Sequence, residues 1–592
     1  MNALKNMTSR TRTTVEVIAT ALISFVMSMF VFWPNLKDIN VPWGGGDMTA
    51  TYVNAEAWNW WSYGVTTHFG FPYGMNLNYF PGLDITQNTF SHLISVLTGQ
   101  PFIGINVLLI VSFPLVAVMA YAAIRLMGLK SFLAIALAVS FTFIPWHWGR
   151  ALGHLYLATL YGAVAGVILA LLVGSGRWQQ WLKTEDKKQR RKYIALIVVL
   201  VLTAAWSAVY YAFFTALMLL AAVLWRVSQG DRFRRVVGGA LPLAGLAVAM
   251  VIGLLPSVLN RASNPDVVNL GQRDPMDSVK YGGDLAISVL PAPYNPALSG
   301  YNSWIGGMFA QAPGEEQNLI TNYGTWITSL CLIVFLVGLV NYARKRNLGL
   351  PATLDSTPRP PLTFIAYLLV LMVLVFGPWS LNFLIVNWFL TQIRDWNRLL
   401  PLMLLLFILG AAGAIAGKKW TKKEAVAVPI AALILLVTLW DNVLPWKPLY
   451  NDVAKGGRAI LDHSLHYEAA VNAAIPENCG VLQLPIMIYP ENGIAPPNLN
   501  DYDHFMVALV NQDKSWAYGG MRDTIASTWQ LDYTNGINGF QVQDLKDKGF
   551  CAVHLDTRGF EDPQAIEGQL SNLFGNPVVT DLDGRWKLYK IR

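Results

Sequence analysis

The stretch VEVIATALISFVMSMFVFW, residues 15–33, is followed by Pro34, a short polar run and then Gly44-Gly45-Gly46-Asp47-Met48. The first segment is long and apolar enough to cross a hydrocarbon core of ~30 Å as a helix. Lys5, Arg10 and Arg12 precede it, and it lacks a small-residue cleavage site, so it reads as an uncleaved first membrane helix with a basic, inward-facing tail. The second segment then places one carboxylate, Asp47, a few residues beyond the outer end of that helix.

The pattern repeats along the chain. Of 592 residues, 54% are hydrophobic and only 13% charged, too apolar for an ordinary soluble enzyme. Further spans read at residues 105–126, 132–145, 155–173, 236–255, 326–342, 362–376, 399–416 and 425–440. Residues 193–225 pose a choice, because one helix of 33 residues would be ~50 Å long and would put the basic loops on either side of it on opposite faces. Two shorter helices turning near residues 206–211 keep both loops inside, as the positive-inside rule requires. The sum is a polytopic α-helical membrane protein of about 11 transmembrane helices, with its N-terminus cytoplasmic. The net charge of +7 comes mostly from loops such as 183–192, 226–235 and 418–423. It marks topology in a cell-membrane, multi-pass protein surrounded by lipid, and no nucleic-acid partner is implied.

Two long outer loops result, at 34–104 and 257–325. The first contains two short helical patterns, 49–63 and 84–98. Val53, Ala57, Trp60 and Trp61 share a side of the former. In the latter, Phe90, Leu93, Ile94 and Leu97 form a stripe, Asp84 with Gln87 reads as a capping box and Gly99 as a stop. Residues 1–443 form the membrane module, and 444–592 read as an extracytoplasmic α/β domain. Within it, strands are expected at 481–485, 551–556 and 585–591, and helices at 501–511 and 563–574. Cys331 reads as a buried hydrophobe, and pairing of Cys479 with Cys551 is left open. Spans nearly free of charge, with no visible repeat, speak against a transporter. The polar outliers gather in the outer loops instead.

A carboxylate just after the first span, two interfacial helices in a long first outer loop, about eleven spans and a C-terminal α/β domain together resemble the GT-C superfamily of polyprenyl-phosphate-sugar-dependent glycosyltransferases. The segments Asp284-Leu285, Leu290-Pro291, Glu315-Glu316 and Asn322-Tyr323-Gly324 are similar to an outer-loop pattern of uncharacterised bacterial members. So are Leu482-Gln483-Leu484-Pro485 and Trp516-Ala517-Tyr518-Gly519-Gly520-Met521 to their terminal domains. The family's catalytic carboxylate matches Asp47. Its second acidic motif, in the loop after the third span, is absent, and His147 and His154 stand there.

The resemblance implies transfer of a sugar, with inversion, from a polyprenyl-phosphate donor to an extracytoplasmic glycan, lipid or protein in cell-envelope glycan biosynthesis. Asp47 is the expected general base. Arg394 and Arg398, four residues apart, are expected to hold the donor phosphate, because arginine clamps phosphate bidentately; pairing with Asp395 is the alternative. Arg150 and His154 share that spacing and that expected role. Glu316 and Arg273 are weaker candidates for acceptor or lid contacts. No metal ligands are assigned, and a divalent metal is left open. The competing readings are a lipid or glycan transporter and a non-catalytic scaffold on the same fold.

Overall fold

A computed structural model describes residues 9–59, 64–80, 82–130, 132–265, 273–309, 320–347, 359–490, 496–534 and 537–591. Among these, nine helices are long and apolar enough to cross a membrane, or ten when the pair Leu362–Phe376 and Leu381–Trp388, bent by 67°, is taken as one span. Eleven were expected. The difference is Lys187–Ala205, which forms a helix where expected but spends its first turns on Lys187, Lys188, Arg190, Arg191 and Lys192. The predicted break after it is present: that helix ends at Ala205 and the next spans Val209–Ser228. Trp206 Nε1 donates to the Ala249 carbonyl at 2.9 Å and so ties the turn to the neighbouring helix.

The span Leu155–Gly174 lies wholly buried at the centre of the bundle. Small residues let its neighbour approach. A Cβ on Gly166 would meet the Thr215 hydroxyl at 2.0 Å, and one on Gly162 would meet Ser207 Cβ at 2.5 Å. Close backbone approach of this kind replaces the hydrophobic drive that helices lack in lipid.

In the first loop, helices form at Asp47–Glu56 and Ile85–Thr98, and Gly99 ends the second in the left-handed conformation. The first is shorter than the expected 49–63, ending at Glu56 with Ala57 as its C-cap, and Val53 and Ala57 are both buried in the protein, whereas Trp60 and Trp61 lie outside the described residues. The second helix is inverted relative to a soluble amphipathic helix. Its buried face is Gln87, Asn88, Ser91 and Ser95, while of its apolar stripe Leu93 and Leu97 are exposed and Phe90 and Ile94 are half-buried. A polar face turned inward and an apolar face turned outward suit a helix lying against acyl chains.

The C-terminal part carries five strands: β3 (Gly480–Leu484), β4 (Ser515–Trp516), β5 (Phe550–Asp556), β6 (Val579–Thr580) and β7 (Trp586–Lys590). β1 (Val65–Thr66) and β2 (Met75–Asn76) form a separate hairpin in the first loop. The sheet order is β4-β3-β5-β7-β6, with β4, β3 and β5 parallel and β7 antiparallel to both its neighbours. Leu482, Leu484, Val553 and Leu555 pack with Leu570 and Phe574 of the helix Pro563–Phe574. Asp562 caps that helix by accepting from the Ala565 amide. Cys479 and Cys551 form a disulfide beside the paired strands β3 and β5, with Cα atoms 5.8 Å apart, and Cys331 is buried.

The tip of the first loop is built onto this sheet. Phe71 and Gly70 donate backbone hydrogen bonds to the carbonyls of Trp516 and Tyr518, both at 2.9 Å. The added segment covers the β4 edge, which would otherwise present unpaired amides. Arg458, on the long helix Lys447–Ala474, pairs with Asp38 at 3.0 Å. The loop that carries Asp47 and the C-terminal sheet therefore occupy the same end of the bundle.

Candidate functional site

Asp47 opens the helix Asp47–Glu56, where the positive end of the helix dipole favours an ionised carboxylate. The glycines before it have separate uses. Gly46 has φ +55°, which a side chain rarely tolerates, and a Cβ on Gly44 would stand 2.7 Å from the Leu152 carbonyl. Gly44 thus presses the start of the helix against the turn at 150–154. There His154 Nε2 lies 3.3 Å from Asp47 Oδ2, with the carboxylate half exposed.

Three arginines lie near enough to His154 to act on it electrostatically. Arg150 lies over the Trp146 ring at 4.9 Å, Arg394 over Tyr281 at 5.2 Å and Arg398 over Tyr210 at 4.0 Å. Burial pushes the His154 imidazole down to about 3, and the positive charges of Arg398, Arg150 and Arg394 add to the effect. His154 is therefore neutral at ordinary pH. Its contact with Asp47 joins a neutral ring to a carboxylate, and leaves the carboxylate's charge uncompensated by it.

The four-residue spacing of Arg394 and Arg398 does not act through a helix. Arg394 precedes the first helical turn, Trp396–Leu399, and only Arg398 lies within it. What brings them together is Asp395, 3% exposed, which pairs with Arg398 Nη2 and stands 3.5 Å from Arg394 Nε. The expected alternative, internal pairing with Asp395, is thus present. The two cations remain close enough to His154 to depress it.

Arg273 lies over the Phe80 ring at 5.8 Å. It acts with Arg394 on Asp277, whose carboxyl is raised by burial and lowered in part by these two arginines. Glu316 lies outside the described residues. His147 is a core residue: fully buried, stacked on Phe113 at 3.9 Å, with its ring nitrogens on Ser112 and the Thr142 carbonyl. Among the described residues, no three His, Cys, Asp or Glu side chains are grouped so that they could hold a metal ion.

Asp84 corrects the sequence reading. It sits at the N-cap of Ile85–Thr98 but makes no side-chain cap hydrogen bond. Gln87, the other half of the expected box, is drawn away: its amide donates to Thr159 Oγ1 at 3.3 Å and also to the Ser207 carbonyl. Thr86 meets the Tyr161 and Ser207 hydroxyls at 3.2 and 3.0 Å. With these residues engaged by the bundle, Asp84 is left in a desolvated position, and burial raises its carboxyl to about 6 against the pull of Arg398. The folded protein therefore holds a proton on Asp84 that the unfolded chain, near 3.9, releases. The stability this contributes is fully present below the unfolded value and is lost as pH rises through about 6. Asp84→Asn is expected to unfold at a higher temperature than the parent at pH 8, with the gap closing as pH falls toward 4. Thermal denaturation of the detergent-solubilised protein across that range measures it.

Together, fold and site define a polytopic membrane protein with an acidic–cationic site at the end of the bundle that carries its C-terminal sheet. A family model described as a domain of unknown function, DUF6311, matches residues 17–282. Among solved structures, the chain is similar to the arabinofuranosyltransferase AftD from Mycobacteria, with TM-score 0.47, 15% identity, and coverage of 99% of this chain and 40% of that one. It is also similar to the oligosaccharyltransferase of Archaeoglobus fulgidus in the apo form, with TM-score 0.44, 12% identity, and coverage of 92% of this chain and 69% of that one. The chain thus spans less than half the length of the arabinofuranosyltransferase. A comparison with the curated proteins found no match.

Proposed function

We propose that the protein is a membrane glycosyltransferase that moves one sugar, with inversion, from a polyprenyl-phosphate carrier to an acceptor hydroxyl outside the cytoplasm. The observation that carries this reading is the half-exposed Asp47 carboxylate, 3.3 Å from His154, whose imidazole is held neutral in part by the positive charges of Arg398, Arg150 and Arg394. A base and a cationic site for a leaving group are the two things the reaction needs. Asp47 takes the acceptor proton, the acceptor oxygen forms the new bond to the anomeric carbon, and the bond from that carbon to the phosphate oxygen breaks. The departing phosphate carries negative charge, which the arginines receive. His154 orients the carboxylate without neutralising it, and Asp395 holds Arg394 and Arg398 in place.

The disulfide between Cys479 and Cys551 supports an oxidising, extracytoplasmic location for the C-terminal part, and the outward apolar stripe of Ile85–Thr98 supports a site at the bilayer surface. The test is reconstitution into vesicles with radiolabelled polyprenyl-phosphate sugars. Label moving from carrier to a new glycosidic linkage is the expected result. Label crossing the vesicle with its linkage intact replaces this reading with a transporter.

A further inference from the structure

We propose that an open groove between the tip of the first loop and the C-terminal sheet binds a neutral oligosaccharide chain. The proposal rests on the transferase reading in one respect: it makes that chain the acceptor. The groove has a volume of about 720 Å³ and is lined by Tyr73 from the loop and by Trp529, Asp532, Tyr533, Gln541 and Asp544 from the C-terminal part, a size within the range of ligand pockets.

Its two sides are fixed to each other. The loop tip turns tightly, with the Gly74 amide on the Gly70 carbonyl at 2.8 Å, and Phe71 beside it stacks edge-on against Phe550 at 5.0 Å. Trp529 packs on the same Phe550 ring at 5.3 Å. Tyr73 and Trp529 are therefore held on a common support, although they come from opposite ends of the chain. Tyr73 is 48% exposed there, an aromatic surface already ordered before any ligand arrives.

The polar groups decide the ligand class. Asp544 is occupied internally, by the Tyr533 hydroxyl and by Lys548. That removes the one cation of the groove from use and disfavours a phosphate or nucleotide. Asp532 is exposed, and its carboxylate enters no hydrogen bond or ion pair among the described residues. Gln541 is oriented beside it, donating to the Asp532 carbonyl at 2.7 Å. The Trp529 Nε1 donor is buried and has no hydrogen-bond partner among the described residues. An acyl chain or apolar peptide would bury Asp532 against hydrocarbon, which is costly. A sugar ring offers what this lining lacks: a C–H face for the exposed Tyr73 ring, and hydroxyls that donate to the Asp532 carboxylate. Because the loop that supplies Tyr73 also supplies Asp47, a chain held here is bound by the same segment that presents the base.

The test uses the full-length protein in detergent micelles on an array of neutral hexasaccharides of arabinofuranose, mannose, galactose, rhamnose and glucose. Binding to at least one of them is expected, confirmed by calorimetry with that hexasaccharide. Tyr73→Ala and Asp532→Ala, both at exposed positions, are each expected to weaken it roughly tenfold or more with an unchanged unfolding midpoint. Leu582→Ala, 70% exposed and outside the groove, serves as the control and is expected to bind as the parent does. Absence of binding to every member, or binding within about twofold of the parent in both groove variants, overturns the proposal. The two readings fail separately. Glycan binding that needs Tyr73 in a protein without transfer ends the enzyme reading and keeps the groove. Transfer that is untouched by the Tyr73→Ala, Asp532→Ala double variant ends the groove as the acceptor site and keeps the enzyme.

Discussion

Asp47→Asn is expected to lower sugar transfer by about 10²–10⁴-fold, the contribution of a positioned general base, with membrane insertion and yield unchanged. The amide is nearly isosteric with the carboxylate, so it preserves the contact with His154 at 3.3 Å and the fit of Gly44 against Leu152. What it removes is the ability to accept a proton. The half-exposed side chain supports no buried network whose loss would unfold the protein. His154→Gln makes the complementary variant: it keeps a polar contact to Asp47 but loses the ring, and a smaller loss is expected because the imidazole is already neutral and transfers no charge. Initial rates with a labelled polyprenyl-phosphate sugar, normalised to folded protein by size-exclusion elution, measure both. Full activity in Asp47→Asn would remove Asp47 from the chemistry.

How far the sequence could be read follows from which interactions are local. Span ends depend on runs of apolar residues broken by Lys and Arg, so the turn between Ala205 and Val209 and the helix Pro563–Phe574 were both legible. The proximity of Gly44-Gly45-Gly46-Asp47 to the C-terminal end of the first span was legible too, but its partner was not. His154 reaches Asp47 because Gly44 lets two backbones touch, and no spacing within either segment encodes that approach. The capping box at Asp84 failed for the converse reason. Its pattern is local, and Gln87 found better partners on Thr159 and Ser207, far away in the chain. The stripe Phe90, Leu93, Ile94 and Leu97 was recognised as a stripe. Which side it faces depends on whether the neighbour is protein or lipid, and the exposed Leu93 and Leu97 give the answer only in three dimensions.

Arg398→Met and Arg394→Ala are expected to separate stability from donor binding. Arg398 is about as buried as Asp395, with side chains 10% and 4% exposed. Removing it leaves the buried Asp395 carboxylate with Arg394, 3.5 Å away, as its remaining cation, so the cost is at most about 3–5 kcal/mol, the figure for a buried pair broken on one side. Arg398→Met should therefore lower the unfolding midpoint as well as donor affinity. Arg398→Lys should recover only part of each, since an ammonium keeps the charge but loses the reach of the guanidinium Nη2 to Asp395 and the stacking over Tyr210 at 4.0 Å. Arg394 is more exposed and 3.5 Å from Asp395, so its truncation should change stability by about 0–1 kcal/mol while still raising the donor KM. A pH signature distinguishes this electrostatic role from packing alone. Arg398 pulls the Asp84 carboxyl down and pushes the His154 imidazole down, so Arg398→Met should move both upward, carrying the Asp84 stability transition above about pH 6. Donor KM unchanged in Arg394→Ala and in Arg398→Lys would show that the leaving phosphate is held elsewhere, and that these arginines serve only to anchor Asp395 beneath the site.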